Sequence, residues 1–198
     1  MPNLNTFSLL FFFTYHVTLY CYAVDDFIKI ECQATPYPPL CIRSLSACSA
    51  AIHRSPDRLV ATALSISLSQ AQSVARFVST KSTLRGLKLT ERRVLYDCTG
   101  NMVNTVDQLG RAIKELAGLP MDFGRRVKNI ESWVAAAVTF HYTCLDGFSS
   151  LSVGGNVAVV VRERVLDCAH VASNSLALVR RFAARRGVGS SVGRENVP

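Results

Sequence analysis

The sequence predicts an all-α protein, an antiparallel up-down-up-down four-helix bundle with an N-terminal helical hairpin extension. Four long segments repeat apolar residues at steps of three and four, which is the period of a helix face. No alternating apolar pattern typical of strands supports a sheet, and short breaks with Gly or Pro separate the segments. The 198 residues, 49% of them hydrophobic, are enough for one domain with a sizeable core.

The N-terminal segment, residues 1–23, has the features of a secretory signal peptide. An apolar run from Leu9 to Leu19 precedes Cys21-Tyr22-Ala23, which we interpret as a small-x-small cleavage site, although residues 1–8 carry no Lys or Arg. The run is shorter than the roughly 20 apolar residues of a membrane span. We therefore expect a secreted, extracellular protein with no transmembrane segment. The alternative is a retained, buried N-terminal helix in an intracellular helical scaffold.

Secretion changes how the cysteines are interpreted, because an oxidising compartment favours disulfides. Their wide and uneven spacing lacks the Cys-x-x-Cys groups of a zinc site, and it leaves the pairing open. The six cysteines that remain after cleavage are Cys32, Cys41, Cys48, Cys98, Cys144 and Cys168.

The predicted hairpin, residues 24–50, contains a proline-rich turn. The prolines of Thr35-Pro36-Tyr37-Pro38-Pro39 remove amide donors and disfavour a continuous helix. Cys32 and Cys41 flank this turn, and a bridge between them would join two short arms that cannot bury a core alone.

The predicted bundle, residues 55–186, begins with a clear helix start. Ser55-Pro56-Asp57 combines an N-cap serine, a proline in the first turn and an acid at the positive end of the helix dipole. This helix should reach about Lys81. A second helix, opened by Thr90-Glu91, has the most regular apolar stripe of the chain, and Gly118 and Pro120 end it.

The third predicted helix starts between Asp122 and Lys128 and carries Trp133, which we expect in the core. It should end at Cys144, with Asp146-Gly147 as a sharp exit into a Gly- and Ser-rich loop. The fourth helix should begin near residues 157–162 and place Cys168 in the core. Residues 157–161 could form a strand instead, but they have no apolar partner run.

Positive charge accumulates at the C-terminus. From Arg180 onward five arginines face one acid, Glu195, in a chain of net charge +8, and residues 187–198 are predicted to be disordered. Such charge attracts pectin, anionic lipid or nucleic acid without choosing among them. For residues 180–186 we favour instead a solvated helix end, which the negative end of the helix dipole stabilises.

No catalytic, cofactor or metal constellation is present in the sequence. His53, His141 and His170 lie on separate predicted elements, and Cys168 and His170 are two positions apart on a helix, so they do not face each other. We therefore expect no enzyme activity and no cofactor, but a rigid bundle that presents a helix surface to a partner. Cys98 and Cys144 could bridge the second and third helices.

Five motifs, in the expected order over residues 27–182, resemble the plant invertase and pectin methylesterase inhibitor family. The resemblance implies secreted, non-enzymatic inhibitors with a four-helix bundle, disulfides Cys32–Cys41 and Cys98–Cys144, and Cys168 as the usual unpaired cysteine. Cys48 departs from the pattern; we expect Cys48 and Cys168 to be free, the alternative being a bridge between them. The motifs are Cys32 to Cys41, Tyr96 to Cys98, Glu131 to Ala137, Thr143 to Phe148, and Asn174 to Leu178.

Within that family, the motif from Thr143 to Phe148 is similar to the pectin methylesterase side, and the Pro-Lys-Phe motif associated with invertase inhibitors is absent. The resemblance implies a stoichiometric plug of the esterase cleft, with Asp107, Thr143 and Asp146 as contact candidates, while Asn104 stands where an acid is common. Asp146 could instead be only a turn former. Alternatives are an invertase inhibitor and the pro-region of a pectin methylesterase; pectin would associate weakly, and no nucleic-acid partner is expected.

Overall fold

A computed structural model describes residues 25–151 and 153–187, and these form helices without any strand. The predicted all-α four-helix bundle with an N-terminal helical extension is confirmed. Residues 1–23 and most of the tail, residues 188–198, lie outside the described residues. The helices are α1 (Asp26–Cys32), α2 (Pro38–Ser46), α3 (Ser49–Ile52), α4 (Pro56–Ser82), α5 (Leu89–Leu116), α6 (Phe123–Ser150) and α7 (Asn156–Arg185), with a 3-10 turn at Leu119–Met121.

The four long helices α4 to α7 close into a ring in which each packs against its two chain neighbours and α7 packs against α4. Short connections make neighbouring helices antiparallel. We call the end where α4 begins and α7 ends the hairpin end, because α1 and α2 dock beside it. The opposite end, where α4 ends and α5 begins, is the loop end. No helix within residues 25–151 and 153–187 has the length and apolarity needed to cross a membrane.

Local capping explains where the long helices begin. The side chain of Ser55 accepts a hydrogen bond from the Arg58 amide at 3.4 Å, so the predicted start of α4 is correct. Asp122 caps α6 by accepting from the Arg125 amide at 3.4 Å. At the start of α5, the carboxylate of Glu91 accepts the Lys88 amide at 2.9 Å, which satisfies a donor that the helix leaves free.

The hairpin is attached to α7 by polar contacts around Tyr37 and Glu31. The Asn174 side chain accepts the Tyr37 amide at 2.9 Å and donates to its carbonyl at 3.0 Å, while His170 stacks on the Tyr37 ring at 3.8 Å. Glu31, only 3% exposed, accepts from Arg181 at 2.8 Å and also from Arg185. A buried carboxylate held by two guanidinium groups joins α1 to α7.

The solvated helix end predicted for residues 180–186 is incomplete, because the arginines at the end of α7 each pair with a carboxylate while remaining 35–58% exposed. Besides the two on Glu31, Arg180 donates to Glu131 at 2.7 Å and Arg186 donates to both carboxylate oxygens of Asp57 at 3.0 Å. These pairs connect α7 with α6 and with α4. The sequence could not show them because the partners lie on distant elements.

The predicted end of the third helix is wrong. The helix α6 continues through Asp146 and Gly147 to Ser150, so Cys144 lies inside it and Asp146 is not a turn former. Two features place the extra turn against the bundle. Phe148 is buried, and the Gly147 backbone lies so close to Val94 that an added Cβ would be 3.6 Å from the Val94 Cγ1. Burial here outweighs the turn preference of Asp-Gly, since most helix stability comes from tertiary packing.

The structure corrects the predicted place of Trp133 and decides between helix and strand for residues 157–161. Trp133 is not in the core but half-buried at its edge, where the Arg111 guanidinium lies 5.2 Å from the ring centre. Residues 157–161 are helical, so the strand alternative is excluded. Cys168 is fully buried, as its place on the apolar stripe of α7 predicts.

The described residues contain two disulfides, Cys32–Cys41 within the hairpin and Cys98–Cys144 between α5 and α6. They are the two pairings that the family resemblance implies. Cys48 and Cys168 are free, the first half-buried and the second buried, so the Cys48–Cys168 alternative is excluded in this structure.

Candidate functional site

The candidate site is the outward surface of α5 and α6, which we call the α5–α6 face. It combines exposed residues that lie opposite the buried stripe of each helix. The members on α5 are Tyr96, Gly100, Val103 and Asp107, and those on α6 are Thr139, Thr143 and Asp146.

The α5–α6 face is rigid because the two helices are fixed to each other at both ends. The Cys98–Cys144 disulfide brings the two Cα atoms to 4.5 Å near the loop end. Toward the hairpin end, Glu115 accepts from Arg126 at 2.9 Å and from Asn129 at 3.1 Å. A partner would thus meet a preformed surface, with little conformational entropy to lose on binding.

The α6 half of the face presents hydrogen-bond acceptors. Thr139, Thr143 and Asp146 recur at steps of four and three, so they form one exposed row. Each threonine hydroxyl donates to the carbonyl four residues earlier, at 3.1 and 3.0 Å, which leaves its oxygen lone pairs outward. Among the described residues no cation lies within 4 Å of the Asp146 carboxylate. The row therefore suits a partner that supplies donors.

Asp107 belongs to a different part of the face. It lies nine residues after Cys98 on α5, about 13 Å along the helix at 1.5 Å per residue, whereas Thr143 adjoins the disulfide. Its carboxylate accepts from Arg111 at 2.8 Å, and both side chains are about half exposed. The structure thus brings Thr143 and Asp146 together and leaves Asp107 apart, in an ion pair that contributes only about 0.3–0.5 kcal/mol.

Sequence reasoning missed four of the seven members of the α5–α6 face, and two of these four are large side chains. Tyr96 is 74% exposed and Val103 is 58% exposed, and between them Gly100 leaves open space where a Cβ would be. A glycine inside a helix costs about 1 kcal/mol relative to alanine, and nothing in the bundle requires it here. The signal was available in the sequence, since both large residues fall outside the apolar stripe of α5.

A shallow groove continues the face toward the hairpin end. Trp133 forms its apolar part, and charged side chains of both signs surround the ring. Half-buried tryptophan and arginine are typical of the centres of protein interfaces. The groove is lined by Asp107, Arg111, Lys114, Glu115, Arg126 and Trp133.

The buried pair of His141 and Cys168 is not a nucleophile site. Nε2 of His141 lies 3.2 Å from the Cys168 sulfur, and both residues are fully buried between α6 and α7. Burial raises the pKa of Cys168 to about 12 and lowers the pKa of His141 to about 4, so both are neutral at pH 7. A substrate cannot reach them, and His170 instead stacks on Tyr37.

Metal chemistry finds no support in the part of the chain that the structure describes. Within residues 25–151 and 153–187, no three His, Cys, Asp or Glu side chains lie close enough together to hold a metal ion. What the geometry offers is a rigid surface of acceptors, one exposed tyrosine and a tryptophan groove, which is suited to binding a protein.

Comparison with known proteins shows which proteins the chain resembles. A profile described as plant invertase/pectin methylesterase inhibitor matches residues 26–178. The chain is 43% identical over 172 residues to pectinesterase inhibitor 9 of Arabidopsis thaliana, covering 83% of this chain and 84% of that protein. It is 36% identical over 165 residues to pectinesterase inhibitor 11 of the same plant, covering 81% and 82% respectively.

A solved structure extends the likeness to the fold. The crystal structure of a mutant form of a pectin methylesterase inhibitor from Arabidopsis matches with a TM-score of 0.62, at 18% sequence identity. The match covers 75% of this chain and 91% of that one. At this identity the likeness concerns the arrangement of the helices alone.

Proposed function

The chain belongs to the plant invertase/pectin methylesterase inhibitor family, and from that premise we propose that it is a proteinaceous inhibitor of a pectin methylesterase. The observation that carries the proposal is the identity of 43% to a pectinesterase inhibitor over most of both chains. The protein would act outside the cell, in the plant cell wall, after removal of residues 1–23. Its domain would comprise residues 24–186, followed by a tail of residues 187–198.

We place the contact with the esterase on the α5–α6 face. A cleft that accepts a sugar polymer is lined with donors and aromatic side chains, and the acceptor row of Thr139, Thr143 and Asp146 is complementary to such donors. Tyr96 and Trp133 would supply the apolar part of the interface. Binding of one rigid helix pair across the cleft would exclude pectin without any chemical step, in a complex of one inhibitor with one esterase.

Two alternatives remain within the same family. Its description also includes invertase inhibitors, for which the acceptor row would meet a different sugar-binding cleft. The chain could also be the pro-region of a pectin methylesterase, in which case its transcript would continue past Pro198 into an esterase domain. A weak electrostatic association with pectin is also part of the proposal.

An inhibition titration separates the targets. The secreted full chain is added in increasing amounts to a purified plant pectin methylesterase and, in parallel, to a purified plant cell-wall invertase. We expect the esterase activity to fall to its end point near one inhibitor per enzyme, with the invertase unaffected. Inhibition of the invertase with an active esterase would overturn the assignment.

A further inference from the structure

The loop end carries a cluster of cations that the α5–α6 face does not use, and we call it the basic cap. Residues 76–93 contain six Lys or Arg and a single acid, Glu91. Two arginines near the start of α7 complete the cluster: Arg164, whose guanidinium lies over Phe77 of α4, and Arg162, two residues earlier. All are exposed except Lys81, which is half-buried. The members are Arg76, Lys81, Arg85, Lys88, Arg92, Arg93, Arg162 and Arg164.

The charges of the basic cap are not neutralised by the described part of the protein. Across residues 25–151 and 153–187, none of its eight members has a carboxylate within 4 Å. The acid within this segment, Glu91, contacts backbone instead. Its carboxylate accepts a hydrogen bond from the Lys88 amide at 2.9 Å. It also lies against Gly155, so closely that a Cβ added to this glycine would be 2.5 Å from the Glu91 Oε1.

An aromatic ring, rather than an acid, organises two of the cations. The Arg164 guanidinium lies 4.0 Å from the Phe77 ring centre, and the Lys81 ammonium lies 5.2 Å from the same centre. A cation–π contact holds a cation in place without removing its charge. Phe77 thereby links α4 to α7, so the basic cap covers α4 and its two neighbours α5 and α7, whose axes lie about 11–14 Å apart across the ring of helices at usual helix spacings.

We propose that the basic cap binds a linear polymer of carboxylates, specifically demethylated pectin. Six of the eight cations are arginines, whose planar guanidinium groups match a carboxylate with two parallel hydrogen bonds. A long anionic chain crossing three helices would contact several of them at once. Two cations lie over the Phe77 ring, so this ring offers no open face on which a nucleic-acid base could stack.

The choice of a carboxylate polymer rests on the proposed function, since demethylation of pectin is the reaction that creates such carboxylates. The cap and the Asp146 end of the acceptor row lie at the same end of the bundle, where α6 ends and α5 begins. Demethylated pectin bound there would keep the inhibitor beside stretches of polymer on which an esterase has already acted.

The test measures binding of the full chain to a fluorescently labelled polygalacturonate oligosaccharide, with the fully methyl-esterified oligosaccharide of equal length as the neutral comparison. The cap variant is Arg85→Gln/Arg92→Gln/Arg93→Gln. The matched control is Arg43→Gln/Arg58→Gln/Lys128→Gln, three exposed cations outside the cap that also have no carboxylate within 4 Å among the described residues.

We expect the wild type to bind only the demethylated oligosaccharide, more weakly as salt is raised. The cap variant should lose about tenfold in affinity and the control about twofold or less. Equal losses in both variants, or equal binding of both oligosaccharides, would overturn the proposal. Tighter binding to anionic lipid vesicles or to duplex DNA of matched charge would overturn the assignment to a polysaccharide.

A second variant, Arg162→Gln/Arg164→Gln on α7, provides an independent readout if the triple variant fails to give the helical circular dichroism of the wild type. It should also lose affinity for the demethylated oligosaccharide, by several-fold, and unchanged affinity would count against the cap.

The esterase titration tests the proposed function separately from the cap. A wild type that binds polygalacturonate but inhibits no esterase refutes the proposed function alone, while inhibition without such binding refutes the cap alone.

Discussion

The two ends of the bundle use the same residue type for different purposes. At the hairpin end, Arg180, Arg181, Arg185 and Arg186 each bond a carboxylate from another element. At the loop end, the eight cations of the basic cap have no such partner among the described residues. The number of charges in a segment therefore does not distinguish a structural ion pair from a binding surface. Whether an arginine is paired depends on where the fold places the acidic side chains.

The largest effect is expected when the disulfide nearer the loop end is removed. Among the described residues, no ion pair between helices supports that end in its place. We expect Cys98→Ser/Cys144→Ser to lower the free energy of unfolding by about 4 kcal/mol, because the bridge closes a loop of 46 residues. Cys32→Ser/Cys41→Ser, which opens a loop of 9 residues, should cost about 2–3 kcal/mol. Denaturant unfolding measures both, and a larger loss from the shorter loop would contradict the account.

Removing the buried charge at the hairpin end should have the next largest effect. Glu31→Gln leaves the guanidinium groups of Arg181 and Arg185 without their anion, and we expect about 2–3 kcal/mol of lost stability in denaturant unfolding. The two arginines remain partly exposed, which keeps the loss moderate. Glu163→Gln, at an exposed site near the loop end, is the matched control and should change little. Equal effects would remove the distinction between the two ends.

Acid sensitivity should arise between the ends, at His141. Burial lowers the pKa of this histidine from 6.5 to about 4. Between these two pH values the unfolded chain therefore binds a proton at His141 and the folded protein does not. Its contribution is present above pH 6.5 and is lost as the pH falls toward 4. We expect the wild type to lose about 2 kcal/mol more than His141→Phe between pH 6.5 and 4.5, by urea unfolding at each pH. Parallel pH profiles for the two proteins would assign the sensitivity to other groups.

The smallest effect is expected at the basic cap. Arg92→Gln/Arg93→Gln should change the free energy of unfolding by no more than about 0.5 kcal/mol, since neither side chain has a carboxylate partner among the described residues. Thermal and denaturant unfolding provide the measurement. A loss comparable to that of Glu31→Gln would show that the cap is structural, as the hairpin end is.

Helix periodicity and capping were sufficient to predict the bundle. The Ser55 cap places the start of α4, and the stripe of α5 places its buried face. Both signals are local, so they can be seen without the fold. The disulfide pairs could be assigned only through resemblance to a family, because spacing alone left the pairing open.

What the sequence could not reveal depends on contacts between distant segments. The Asp-Gly pair at 146–147 favours a turn locally, yet packing of Phe148 extends α6 through it. Glu31 and Arg181 are 150 residues apart, and no local pattern connects them. The side chains of His141 and Cys168 meet only because α6 and α7 are neighbours.

The most direct test of the central claim, that the outward row of α6 meets the esterase, compares two charge reversals in the esterase titration. Asp146→Lys alters that row, while Asp167→Lys alters an exposed carboxylate of α7 that, among the described residues, also has no cation within 4 Å. We expect Asp146→Lys to raise the concentration for half-inhibition about tenfold or more and Asp167→Lys to leave it within about twofold. Full inhibition by Asp146→Lys at the wild-type concentration would contradict the account.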